Sequence, residues 1–82
     1  MNGRQRPNEL PILKYFAFAH LRPGPAQNVS ALIAETVKDL VEIAAAHEEA
    51  GNPIDMAELV AGMRKLLEAK DCLVRAVLAR KD

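Results

Sequence analysis

The sequence predicts an all-α protein, a short N-terminal helix followed by a long antiparallel helical hairpin, assembled as a homo-oligomer. Three observations predict it. Prolines and glycines gather at two interior turns, Arg22-Pro23-Gly24-Pro25 and Gly51-Asn52-Pro53, and so divide the chain into helix-length pieces. Between the turns, apolar residues recur at spacings of three and four, the period of a helix with one buried face. Half of the residues are apolar, yet the chain has no Trp, one Tyr and two Phe. The core must therefore be aliphatic and thin, and the apolar surplus belongs at a subunit interface.

With 82 residues, about half of the roughly 150 that serve as a domain prior, the chain reads as one domain over residues 1–82. Residues 1–9 carry Gly3, Arg4, Arg6 and Pro7 with almost nothing apolar, and read as a flexible arm. Residues 10–21 hold Ile12, Leu13, Phe16 and Phe18, with Pro11 near the start where a missing N–H does no harm, and read as the short helix. The proline-rich turn must end it. Residues 25–50 form the first long helix, with Val29, Leu32, Ile33, Val37, Leu40, Ile43, Ala44 and His47 on the buried stripe and Gly51 closing it.

Asp55, with Glu58 three residues later, is a capping-box pattern announcing a second long helix over residues 55–81. There Met56, Leu59, Met63, Leu66, Leu73 and Val77 form a seam in which Lys70 takes the one polar position. Val60, Leu67, Val74 and Leu78 make a second stripe beside it. A two-helix hairpin covers one stripe, so the second implies further copies of the chain, and Lys70 either sets register or faces a charged ligand. Arg64 with Glu68, and Asp71 with Arg75, are spaced to pair along the solvated face.

Eleven basic and eleven acidic residues cancel, which leaves no overall field to draw the chain to DNA, RNA or a membrane. The distribution is uneven. Residues 1–24 carry Arg4, Arg6, Lys14 and Arg22 against Glu9, whereas residues 25–50 carry Lys38 against Glu35, Asp39, Glu42, Glu48 and Glu49. An anion would have to be met by the first segment and the last helix. Arg4 and Arg6 precede an apolar stretch, but Lys14 interrupts it and argues against a signal peptide. No apolar run approaches the ~18 residues of a membrane span. Cys72 cannot form an intrachain disulfide, and reads as a small buried hydrophobe in a reducing compartment, the cytoplasm.

Catalytic motifs are missing. His20 and His47 are the only histidines, and the sequence has no Cys-x-x-Cys, His-Glu-x-x-His, phosphate loop or nucleophile elbow. The expectation is a non-enzyme with no catalytic residue, no metal and no cofactor. The most unusual segment is Lys14-Tyr15-Phe16-Ala17-Phe18-Ala19-His20-Leu21-Arg22, which puts aromatic faces, an imidazole and two cations in nine residues. Aromatic faces stack on nucleobases and cations meet phosphate. Phe16 and Phe18 also read as plugs of a thin core; Tyr15 fits either role, because its hydroxyl must find water or a partner.

Two blocks of the chain resemble a known family. Lys14-Tyr15-Phe16, His20-Leu21 and Gln27-Asn28-Val29-Ser30, with Arg64-Lys65-Leu66-Leu67-Glu68-Ala69-Lys70-Asp71 and Val74-Arg75-Ala76, resemble the helical-hairpin sponges of phages that act against the CBASS and Thoeris defences. The resemblance implies an interlocked homo-oligomer, typically a hexamer, that sequesters cyclic oligonucleotide immune signals in the host cell cytoplasm without cleaving them. It implies pockets in which an aromatic residue of the first helix stacks on a base while basic side chains hold phosphates. Carried onto this chain, Tyr15 is the stacking candidate, and Lys14, His20, Arg22, Lys65, Lys70 and Arg75 are the phosphate candidates. The turn Arg22-Pro23-Gly24-Pro25 departs from the shorter polar joint expected of the family, and residues 43–62 show no resemblance. The ligand is thus left open among cyclic dinucleotides, cyclic trinucleotides and cyclic ADP-ribose variants. The competing reading is a structural or regulatory helical hairpin acting through protein–protein contacts, which needs the second apolar stripe but not the Tyr-His-Arg cluster.

Overall fold

A computed structural model describes residues 6–78. Among these the chain is all-helical: 3₁₀ turns at Pro7–Glu9 and Pro11–Phe16 precede α1 (Pro25–Glu49) and α2 (Met56–Leu78). The two α-helices pack against each other along the rod, which measures 56 × 20 × 19 Å. The N-terminal segment lies across both.

The boundaries of the hairpin follow local chemistry. Gly24 stands before α1 at φ 151° and ψ −170°, a conformation open in practice to glycine, and Pro25 occupies the first helical position. The Gly24 carbonyl accepts the Asn28 N–H at 2.9 Å, while the Gln27 amide side chain donates to the Leu21 carbonyl at 3.0 Å and ties the preceding loop to the helix. At the far end Gly51 adopts φ 84°. Its N–H reaches back to the Glu48 carbonyl at 3.0 Å and that of Asn52 to the His47 carbonyl at 2.9 Å, satisfying two of the carbonyls a helix end leaves open. Asp55 then starts α2: its Oδ1 accepts the Glu58 N–H at 3.1 Å and its carbonyl accepts the Leu59 N–H at 3.0 Å.

The N-terminal expectations need correction. Of the arm expected over residues 1–9, residues 1–5 lie outside the described residues, but Pro7–Glu9 is a 3₁₀ turn closed by the Glu9 N–H on the Arg6 carbonyl at 2.9 Å. Glu9 Oε1 also accepts the Arg6 N–H at 3.0 Å. Pro7 and Leu10 are buried, so this stretch is anchored to the hairpin. The short helix expected over residues 10–21 is a 3₁₀ helix that stops at Phe16, with Ala17 extended at φ −62° and ψ 142°. Leu10, Leu13 and Phe16 are spaced by three, which at three residues per turn aligns them on one side, and all three face the core. The end of the second long helix, residues 79–81, lies outside the described residues.

One core joins three layers. Leu10 and Phe16 of the N-terminal segment, Val37 of α1 and Met63 of α2 are buried together, with Ile33, Val41, Leu59, Val60, Leu66 and Leu67 packed around them. The buried face of α1 runs through Ser30, Val37 and Ala44, whereas Leu32 is 69% and Ile43 56% exposed, and His47 is exposed. Both stripes of the first half of α2 enter this core, because the N-terminal segment supplies the surface a bare hairpin lacks. Val60 and Leu67 are half-buried against it within the single chain. On α2 the exposed large apolar residues lie further on, at Leu73, Val77 and Leu78, as Leu32 and Ile43 are on α1. Cys72, expected to be buried, is exposed.

Candidate functional site

The irregular stretch after Phe16 carries Ala17, His20 and Leu21 back over the hairpin, beside Ser30 near the start of α1 and Lys70, Asp71, Val74 and Arg75 in the last turns of α2. Together with Lys14 and Tyr15 they line an open cleft of about 480 Å³. That volume lies within the 300 to 1,000 Å³ or so typical of small-molecule sites. Ser30 is buried, and its small side chain forms part of the wall between the two helices.

The geometry centres on Tyr15. Tyr15 is 56% exposed, and the Lys14 ammonium stands over its ring, 5.2 Å from the centroid. Lys70 Nζ donates to the Tyr15 carbonyl at 2.6 Å and lies 5.8 Å from the centroid of the buried Phe16 ring, a cation–π distance. Arg75 Nη2 donates to Cys72 Sγ at 3.3 Å, so Arg75 is turned along its own helix toward the thiol rather than paired with Asp71 as the spacing had suggested. Three cations and His20 face one carboxylate, Asp71, in the cleft. Such a wall can take an anionic ligand, and the exposed Tyr15 adds a platform for a flat ring.

Five of the seven sequence candidates, Lys14, Tyr15, His20, Lys70 and Arg75, come together in this cleft although the outer two lie 61 positions apart. Arg22 and Lys65 do not line it; both are exposed. Sequence reasoning missed Ser30, Asp71 and Val74. Ser30 and Asp71 lie within the two resembling blocks, which was the available signal, but neither a small residue nor a lone acid points to phosphate. Phe16 is core, as the sequence suggested, and Phe18 is half-buried and lines a different groove. That larger groove, about 970 Å³, runs between the N-terminal segment and α1. It is lined by Leu13, Phe16, Phe18, Val37 and Val41 together with charged residues of both signs, Arg6, Lys38, Glu42 and Glu49 among them, and holds none of the seven candidates.

Among the described residues no group of three or more His, Cys, Asp or Glu is placed to hold a metal ion, and no helix is long and apolar enough to cross a membrane. Compared with protein-family models, curated proteins and solved structures, the chain matches none.

Proposed function

We propose that this protein is a phage anti-defence sponge that binds cyclic oligonucleotide immune signals and sequesters them in the host cell cytoplasm without cleaving them. One observation carries the reading: five residues singled out by resemblance, drawn from both ends of the chain, converge on one cleft with Tyr15 exposed. In this reading Tyr15 stacks on a base, and Lys14, His20, Lys70 and Arg75 meet the phosphates. Retention needs affinity and no chemistry, which a preformed cleft supplies by ordering little on binding.

The sponge is a homo-oligomer, a hexamer by resemblance. Leu73, Val77 and Leu78 lie exposed next to Val74 and Arg75 of the cleft, so a neighbouring copy seated on them would extend its wall. Arg22 and Lys65, exposed and outside the cleft of one chain, would reach ligand in such an assembly.

A second reading, a structural or regulatory hairpin acting through protein–protein contacts, is favoured by that same exposed apolar stretch. A thermal-shift screen against cyclic di- and trinucleotides and cyclic ADP-ribose isomers separates the two. A bound ligand at 100 times its dissociation constant adds about 2.7 kcal/mol of stability. The expected outcome is a large shift with one ligand class, with that ligand recovered intact from the heated complex. Ligand recovered in cleaved form would end the sponge reading, and no shift with any compound would favour the protein-binding hairpin.

A further inference from the structure

A 3₁₀ helix leaves its last carbonyls without partners of its own, and the one over Pro11–Phe16 ends abruptly where Ala17 turns extended. The Lys14 carbonyl is met by the Ala17 N–H at 3.4 Å, a long bond. The next carbonyl, that of Tyr15, is taken by Lys70 at 2.6 Å from 55 residues further along the chain. The same ammonium lies over the Phe16 ring. A cation at the negative end of a helix is favourable, and a charged donor makes a stronger hydrogen bond than a neutral one. Lys70 thus holds two consecutive residues of this segment.

We propose that Lys70 is the positioning residue of the cleft: it caps the 3₁₀ helix from α2, fixes the backbone that carries the Tyr15 ring, and offers its remaining donors to an anion. An ammonium has three N–H donors and the Tyr15 carbonyl takes one. An anion held by the others joins the phosphate side of the cleft to the stacking side through one atom. Sequence periodicity places Lys70 in the apolar seam, to set register or face a charged ligand; it lies where α2 turns from core to cleft, past Leu66 and Leu67 and before Val74 and Arg75. The inference rests on the reading that the cleft binds an anionic nucleotide, but half of its test needs no ligand.

The chain has one Tyr and no Trp, so intrinsic tyrosine fluorescence reports Tyr15 alone. In the 82-residue chain without ligand, Lys70→Met keeps the apolar stem and removes the charge. It should lower the fluorescence anisotropy of Tyr15 and speed hydrogen exchange at the Leu13 and Ala17 amides, with helical circular dichroism unchanged; Lys70→Arg should restore part of both. Unchanged anisotropy and exchange would overturn the positioning role. With cyclic di-AMP as the probe, Lys70→Met should weaken binding roughly tenfold or more, with Lys70→Arg between it and wild type. Equal affinity in wild type and Lys70→Met would overturn the coupling. Absence of binding to wild type of cyclic di-AMP, and of a cyclic trinucleotide and a cyclic ADP-ribose isomer used in its place, would count against the nucleotide reading, while the ligand-free comparison still decides whether Lys70 places Tyr15. Should Lys70→Met lose helicity, Lys70→Gln, which keeps a donor without the charge, replaces it in both arms.

Discussion

Tyr15 and Phe16 are neighbours with opposite fates. The 3₁₀ turn directs Phe16 into the core with Leu10, three and six residues being whole turns, and leaves Tyr15 on the outside. Stacking of a base on an aromatic side chain is worth about 1–3 kcal/mol. Tyr15→Ala should therefore weaken cyclic-nucleotide binding by roughly fivefold to more than a hundredfold, read by titration calorimetry, while the urea midpoint stays near that of wild type. Loss of stability in Tyr15→Ala, or unaltered affinity, would remove Tyr15 from the site. At this scale residue type was informative and placement was not. Aromatic and basic residues in one short segment single out Tyr15, Lys14 and His20, which the fold brings into one cleft, but nothing in the order of residues distinguishes Arg75, in the cleft, from Lys65, outside it.

Element boundaries rest on local chemistry, which is why the hairpin was legible. Pro25 opens α1, Gly51 closes it and Asp55 caps α2, each by interactions reaching only a few residues along the chain. Asp55→Ala removes the acceptor of the Glu58 N–H and should cost about 0.5–2 kcal/mol, as a lowered urea midpoint at constant slope; Asp55→Ser should recover most of it. No change would show that the first turn of α2 is held by packing alone. The N-terminal segment was misread for the converse reason. A spacing of three fits both an α-helix and a 3₁₀ helix, and its geometry is set by Leu10, Leu13 and Phe16 packing on a hairpin that local sequence cannot see.

Across the whole molecule the apolar surface splits at Lys70. Before it, α2 is covered by α1 and the N-terminal segment; after it, Leu73, Val77 and Leu78 are open. Leu73→Glu or Val77→Glu should leave the helical signal intact and, if copies meet on this stretch, reduce the mass seen in sedimentation. Leu67→Glu should act differently, destabilising the single chain, because Leu67 packs on the buried core and an unpaired charge there is costly. An unaltered mass with both exposed-site variants would place any subunit contact elsewhere, with Leu32 and Ile43 on α1 as the next surface to change.

What the sequence by itself determined is whatever depends on period and on near neighbours: two amphipathic helices, their turns and caps, and the residue types able to meet an anion. Tertiary structure alone decided which part of the apolar surface of α2 is packed within the chain, which part stays open, and which cations share a cleft. The physical reason is the third layer. Leu10 and Phe16 add buried surface to a two-helix hairpin and so draw Val60 and Leu67 into a single-chain core, while Lys70 joins the layer to α2 across 55 residues, a contact that no local pattern encodes.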